Sequence, residues 1–156
     1  FFKQLTASGI TGKNQALLSL AVSEEEVSGI GADNAVDTLT CMGYFQSLKN
    51  PANDKFVKAF KAKYGANRVV GDTLECGYIG VYLWKMAAEK AKSFDVEKVV
   101  AASSNLEIDA PEGKVKFHAS NHHLWKHARI GTFQSDGQVN MIYESPLIEP
   151  NPFPKL

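Results

Sequence analysis

The chain has 156 residues, 44% of them hydrophobic, which is enough for one ordinary domain with a real core. Its 17 acids balance its 17 lysines and arginines, so no basic field recruits nucleic acid or anionic lipid. No apolar run approaches the roughly 18 residues that a membrane span needs. Phe1-Phe-Lys-Gln-Leu5 reads as the last turns of a helix stopped near Gly9; with no Met and no signal peptide ahead of it, the mature boundary is expected elsewhere.

Ala16-Leu-Leu-Ser-Leu-Ala-Val22 is a nearly continuous apolar run, as in a buried parallel strand. Ser23 opens Ser-Glu-Glu-Glu-Val, where its hydroxyl caps a helix and Glu26 returns the bond; Gly29 and Gly31 close that helix after about two turns. Val36 to Phe45 is rich in β-formers, and a right-handed parallel crossover from 16–22 to 36–45 is expected. Asn50-Pro51 starts a helix that puts Phe56, Val57, Phe60 and Tyr64 on one face and ends at Gly65. Arg68 to Val70 reads as a short extended piece.

Asp72-Thr-Leu-Glu75 spells another capping box, followed by a helix to Ala91 that is apolar almost all round. Such a helix is expected to be largely covered, with Tyr78 and Trp84 against other elements and Gly77 and Gly80 at a close backbone approach. Where cover is missing, an exposed apolar face or a dimer contact takes its place. Asp95 caps a final helix to about Ser103, with Phe94 and Val99 spaced as a hydrophobic staple. Asp109-Ala-Pro-Glu-Gly113 is a turn that launches the alternating strand Lys114-Val-Lys-Phe-His118. Ala128 to Phe133, the turn Ser135-Asp-Gly137 and Val139 to Tyr143 form a hairpin. Three prolines between Glu149 and Pro154 exclude a regular element there.

Five pieces resemble one known family in its own order. They are Phe1 to Leu5; Ser19-Leu-Ala-Val-Ser-Glu-Glu-Glu-Val27; Gly43-Tyr-Phe-Gln-Ser47 with Asn50-Pro-Ala-Asn53 and Phe60-Lys-Ala-Lys-Tyr-Gly65; Glu75-Cys-Gly-Tyr-Ile-Gly-Val-Tyr-Leu-Trp84; and Ile108-Asp-Ala-Pro-Glu-Gly113 with Asn121-His-His123. Together they resemble the carboxyl-terminal part of the amide- and urea-type substrate-binding proteins of ABC transporters, within the leucine/isoleucine/valine-binding-like family of type 1 periplasmic binding proteins. The resemblance implies an α/β fold with parallel, Rossmann-like sheets in two lobes and an antiparallel hairpin at the end, of which this chain is a part. Residues 1–46 would belong to the second lobe, 47–108 to the first, and 109–156 to the second again with its proline-rich tail. The loop Val69-Val-Gly-Asp-Thr-Leu74 departs from urea-type members, which are more acidic there and carry a proline, so the ligand stays open between urea and a short amide.

The turn Ser23-Glu24 follows the carboxyl end of a strand, where open α/β sheets bind ligands. Val22, Ser23 and Glu24 are expected to line the ligand site, with helix N–H groups meeting an amide oxygen and Glu24 accepting from its NH₂. Thr73 and Glu75, at the second helix start, are weaker candidates. Tyr44 and Phe45 read as core. Cys41 and Cys76 read as buried free thiols and not as a disulfide framework. His118, His122, His123 and His127 have tempting spacing, but they begin on a β-pattern without a neighbouring acid or Cys, so structural or surface histidines are expected and no metal site. No nucleophile elbow, phosphate loop, dinucleotide fingerprint or Cys-x-x-Cys is spelled, so neither a catalytic residue nor a cofactor is expected.

The leading expectation is a periplasmic receptor, or an extracellular lipid-anchored one, that delivers urea, a short amide or a branched-chain amino acid to permease subunits without chemistry. A cytoplasmic amide-sensing regulator of the same fold and a histidine-based metal domain are the alternatives.

Overall fold

The computed structural model describes residues 1–154. Two sheets organise it. The first has four strands in the order β1-β2-β6-β7: β1 (Leu18–Ser19) and β2 (Leu39–Met42) run parallel, while β6 (Arg129–Phe133) and β7 (Val139–Glu144) add an antiparallel hairpin. The second is antiparallel, with the order β3 (Glu107–Ala110), β4 (Gly113–Phe117), β5 (Leu124–Trp125). The expected parallel crossover is present, with Leu18 beside Leu39 and helix α2 (Glu24–Ile30) between the two strands in sequence. The architecture is α/β, with one mixed and one antiparallel sheet among the described residues.

Both parallel strands are shorter than their apolar runs, for identifiable reasons. β1 lies at the sheet edge, where Leu18 and Leu20 are exposed. β2 stops at Met42 because side chains take over the backbone just beyond it. Arg129 Nη1 donates to the Gly43 carbonyl, and the Tyr44 N–H donates to Asp72 Oδ1 at 2.7 Å. A ladder cannot continue through groups already bonded elsewhere.

The helices start where local chemistry places them. Asn50 accepts from the Asn53 N–H ahead of α3 (Pro51–Tyr64), and Asp95 accepts from the Lys98 N–H ahead of α5 (Val96–Ser103). The short α1 (Phe2–Ala7) ends before Gly9. The turn between β3 and β4 closes on Gly113 at φ 102°, a left-handed conformation that a side chain would strain. Arg68 to Val70 forms no strand.

The main core lies between α2, the end of β2, α3 and the β6–β7 hairpin. It is built from Val27, Tyr44, Phe45, Phe56, Val70, Phe133 and Val139. Tyr44 and Phe45 are fully buried, and the Tyr44 hydroxyl donates to Asn53 Oδ1 at 2.7 Å. A second cluster joins Ile79 to Ala110 and Val115, and a third joins Ala87 and Ala88 to Val99.

The long helix α4 (Asp72–Ala91) corrects three expectations. It is covered on one face only: Ile79, Leu83, Ala87 and Ala88 are buried, whereas Val81 is 66% and Trp84 53% exposed. Gly77 and Gly80 face open space, so no backbone approaches them closely. Phe94 does not act as a buried staple; it is 82% exposed and stacks on Trp84, ring centroids 5.9 Å apart. Cys41 and Cys76 are free, and both are half-buried, not fully buried.

Candidate functional site

Two helix starts meet beside the end of β2. Around α2 the sequence pattern holds: the Ser23 N–H and hydroxyl both donate to Glu26 Oε2, at 2.7 and 2.6 Å. Three acids in that first turn suit the helix dipole. Around α4 the pattern fails. Gly71, not Asp72, is the N-cap residue, and the Asp72 side chain leaves its own helix to accept from Tyr44. Glu75 does not return to the helix start either; it turns inward and accepts from the Glu112 N–H at 3.3 Å. Gly71 lies against Ser23 so closely that a Cβ there would overlap the serine hydroxyl oxygen. That contact holds the two helix starts together.

The five predicted ligand residues have different surroundings. Val22 is half-buried, Ser23 and Glu24 are buried, Thr73 is exposed, and Glu75 is fully buried. Ser23 and Glu24 adjoin Gly71, Asp72 and the β2 end as one group. Glu24 Oε1 accepts from the Gln46 N–H at 2.8 Å, whereas Glu24 Oε2 is buried with no hydrogen-bond partner among the described residues. Burial pushes the Glu24 carboxyl up to about 7, against the backbone N–H groups of Glu24 and Gln46 that favour its charge. Glu75 belongs to a separate group deeper behind the helix start.

Three residues of that second group carry no recognisable signal in the sequence. Glu112 stands in a Pro-Glu-Gly turn, where an acid ordinarily points to water, yet it is 1% exposed. Lys126 sits among histidines in a mixed segment; its Nζ is 3.0 Å from Glu112 Oε1 and 3.2 Å from Cys76 Sγ. Arg129 donates to the Glu112 carbonyl at 2.8 Å and to Glu144 Oε2 at 2.6 Å. Burial raises Glu75 to about 8, with Glu112 as the next cause, and burial raises Glu112 as well. Lys126 is held protonated above its ordinary range by Glu112, Cys76 and Asp72, although burial opposes its charge.

The four histidines do not converge. His118 Nε2 is 3.2 Å from Glu149 Oε1, an acid the proline-rich tail brings back, and its ring stacks on Trp125. His127 Nδ1 is 2.8 Å from the Ser145 carbonyl, and His122 and His123 are exposed. A groove of about 840 Å³ is lined by Phe1, Phe2, Leu17, Leu18, Val22 and Ile30. It lies along the open edge of β1 and is mostly apolar, with Lys3 and Ser19 as its polar side chains, and these do not make the converging set that a small polar ligand needs.

A family model described as a periplasmic binding protein domain matches residues 1–156. Among solved structures, the solute-binding protein of an ABC transporter from Rhodopseudomonas palustris BisB5, in complex with 3,4-dihydroxy benzoic acid, superposes with a TM-score of 0.84 at 19% identity. It matches over 96% of this chain and 42% of its own. A leucine binding protein from Thermotoga maritima gives a TM-score of 0.73 at 22% identity, over 92% of this chain and 40% of its own. A curated protein named limonene hydroxylase, from Geobacillus stearothermophilus, is 32% identical over 116 residues, 74% of this chain but 21% of that protein. The chain thus spans well under half the length of the proteins it matches.

Proposed function

The chain belongs to the periplasmic binding protein family, and from that premise we propose that it is part of a two-lobed receptor that captures a small polar solute for an ABC importer, outside the cytoplasmic membrane. In this reading residues 1–46 and 109–156 belong to one lobe and 47–108 to the other. The open edge of β1 and the exposed face of α4 are then covered by the remainder of a longer chain. The apolar character of both surfaces supports this, since exposed apolar faces of this kind ordinarily have a partner.

The ligand we propose is a donor-rich neutral molecule, urea or a short amide, with a branched-chain amino acid as the next choice. The supporting observation is Glu24 Oε2, a buried acceptor without a donor, beside a helix start. An unpaired buried carboxylate oxygen costs on the order of 1–3 kcal/mol, and an N–H from a ligand removes that cost. An anionic ligand such as a benzoate meets the same carboxylate as repulsion. Ser23 and Val22 shape the same turn; Thr73 is its exposed neighbour across the helix starts. Glu75 supports the wall from behind. The receptor performs no chemistry, and lobe closure on the ligand is what the permease reads.

Calorimetry of the receptor that carries this chain, against urea, acetamide, leucine and benzoate, tests the proposal. Binding of one of the first three, lost in Glu24→Gln, is the expected result. Binding of benzoate alone, indifferent to Glu24, overturns the ligand class.

A further inference from the structure

Behind the proposed ligand turn lies a charge cluster of which the binding reading uses only Glu75, as support for the wall. Glu75 comes from the first turn of α4, Glu112 from the β3–β4 turn, and Lys126 from the segment entering β6. They are far apart in sequence yet directly in contact: the Glu112 N–H donates to Glu75, and the Lys126 ammonium meets the Glu112 carboxylate. Asp72 adds a third acid at the same helix start, and its Oδ1 and Lys126 Nζ both crowd Gly43 at the end of β2. Arg129, the other cation, is engaged by Glu144 and two backbone carbonyls. Three carboxylates therefore lie around one ammonium, which is in contact with Glu112. Glu75 Oε2 and Glu112 Oε2 are buried without hydrogen-bond partners among the described residues.

We infer that Glu75 and Glu112 hold one proton between them and, with Lys126, form a latch that ties the start of α4 to the β3–β4 turn and the entry to β6, so that a rise in pH loosens this junction. Charge balance favours the assignment. Glu112, beside Lys126, keeps its charge, and Glu75, with no cation in contact among the described residues, carries the proton. The other titratable groups facing Glu75 reinforce this. Tyr44 at the end of β2 and Tyr78 one turn along α4 stay neutral, and Cys76 is held as a thiol by burial. When the proton leaves Glu75 for water, a second buried carboxylate faces Glu112 and Asp72 with the same single ammonium. Separation of α4 from the β3–β4 turn, with water entry, relieves it. The effect on ligand binding rests on the two-lobe reading above, because the same segments then join the lobes. The latch itself does not.

The test needs no ligand. Carboxyl carbon NMR on this chain, titrated from acid to alkaline pH, is expected to show, above the raised transition of Glu24, a further glutamate transition far above the ordinary range. That transition should disappear in Glu75→Gln. Hydrogen exchange of the Glu112 and Tyr44 amides, corrected for the intrinsic pH dependence, reads the opening. It is expected to rise up to about tenfold per pH unit between the ordinary glutamate range and the Glu75 transition, then level off. In Glu75→Gln it should be flat with pH, and in Lys126→Met it should be faster at every pH. If Glu75→Gln fails to fold, Glu112→Gln removes the facing carboxylate and should lower the remaining transition. Ordinary titration of both glutamates, or the same exchange profile in wild type and Glu75→Gln, overturns the latch. Since no solute is present, that failure is separate from any failure of the receptor reading.

Discussion

Helices α2 and α4 open on nearly the same four-residue pattern, Ser-Glu-Glu-Glu and Asp-Thr-Leu-Glu, and the structure treats them in opposite ways. At α2 the acid three residues on returns to the cap, and both bonds between Ser23 and Glu26 span only three residues. At α4 both acids leave the helix, one for Tyr44 and one for Glu112, and a glycine takes the cap position. The difference lies in what packs around the pattern. Glu26 is exposed, so the bond that Ser23 makes to it competes only with water. Asp72 and Glu75 face unpaired N–H groups from distant segments inside the fold, and satisfying a buried donor outweighs closing a local cap. The first start is a local device and the second a tertiary one.

The comparison breaks most severely if the tertiary start tolerates loss of its cation. Lys126→Met leaves the buried Glu112 carboxylate without its ammonium partner and is expected to cost about 3 kcal/mol, read as a lower urea midpoint. Serine-cap variants should come nowhere near that loss.

The pH dependence of stability separates the two starts less sharply but uses the unmodified chain. A carboxyl raised by folding is stabilising in its protonated form. That contribution is complete below the ordinary glutamate range and is lost as pH rises, through about 7 for Glu24 and about 8 for Glu75. Melts from pH 5 to 8 should therefore show falling stability, by a few kcal/mol at roughly 1.4 kcal/mol per pH unit and group. Glu75→Gln should remove about half of the fall below pH 7 and all of it above, and Glu24→Gln the other half below pH 7. Stability that rises over this window would contradict both assignments.

Glycine substitutions are smaller in effect and opposite in sign. Gly71→Ala forces a methyl into the Ser23 hydroxyl and is expected to cost about 1–3 kcal/mol. Gly80→Ala, in the middle of α4 and facing open space, should instead stabilise by about 0.5–1 kcal/mol. Equal effects in thermal melts would mean that the helix starts are not in contact as described. A change of similar size is Ser23→Ala, about 1 kcal/mol, which should not depend on the presence of Lys126. A double-mutant cycle between the two positions is expected to show additivity within a few tenths of a kcal/mol.

What could be read from the sequence follows the same division. The caps at Ser23, Asn50 and Asp95, the turn at Gly113 and the hairpin around Gly137 are set by neighbours a few residues away, so local spelling was sufficient. The two parallel strands were identifiable from their apolar runs, though not their lengths, because the Gly43 carbonyl and the Tyr44 N–H are claimed from Arg129 and Asp72. Glu112 and Lys126 stayed hidden because nothing local distinguishes a buried acid in a Pro-Glu-Gly turn from a solvated one. Their contacts join residues 37 and 50 positions apart. The apolarity of α4 was clear, but a sequence does not say which partner covers each face; this chain supplies cover for Ile79 and Leu83 and none for Val81.

The most direct test of the proposed ligand turn is a calorimetric titration of the receptor carrying this chain with urea and acetamide, repeated in Ser23→Ala and Glu24→Gln with melting curves alongside. A measurable affinity in the wild type, lowered at least about tenfold in Glu24→Gln while the receptor remains folded, is the predicted result. Unchanged affinity in both variants would contradict it and leave Ser23 and Glu24 as a helix cap and a buried acid with no part in binding.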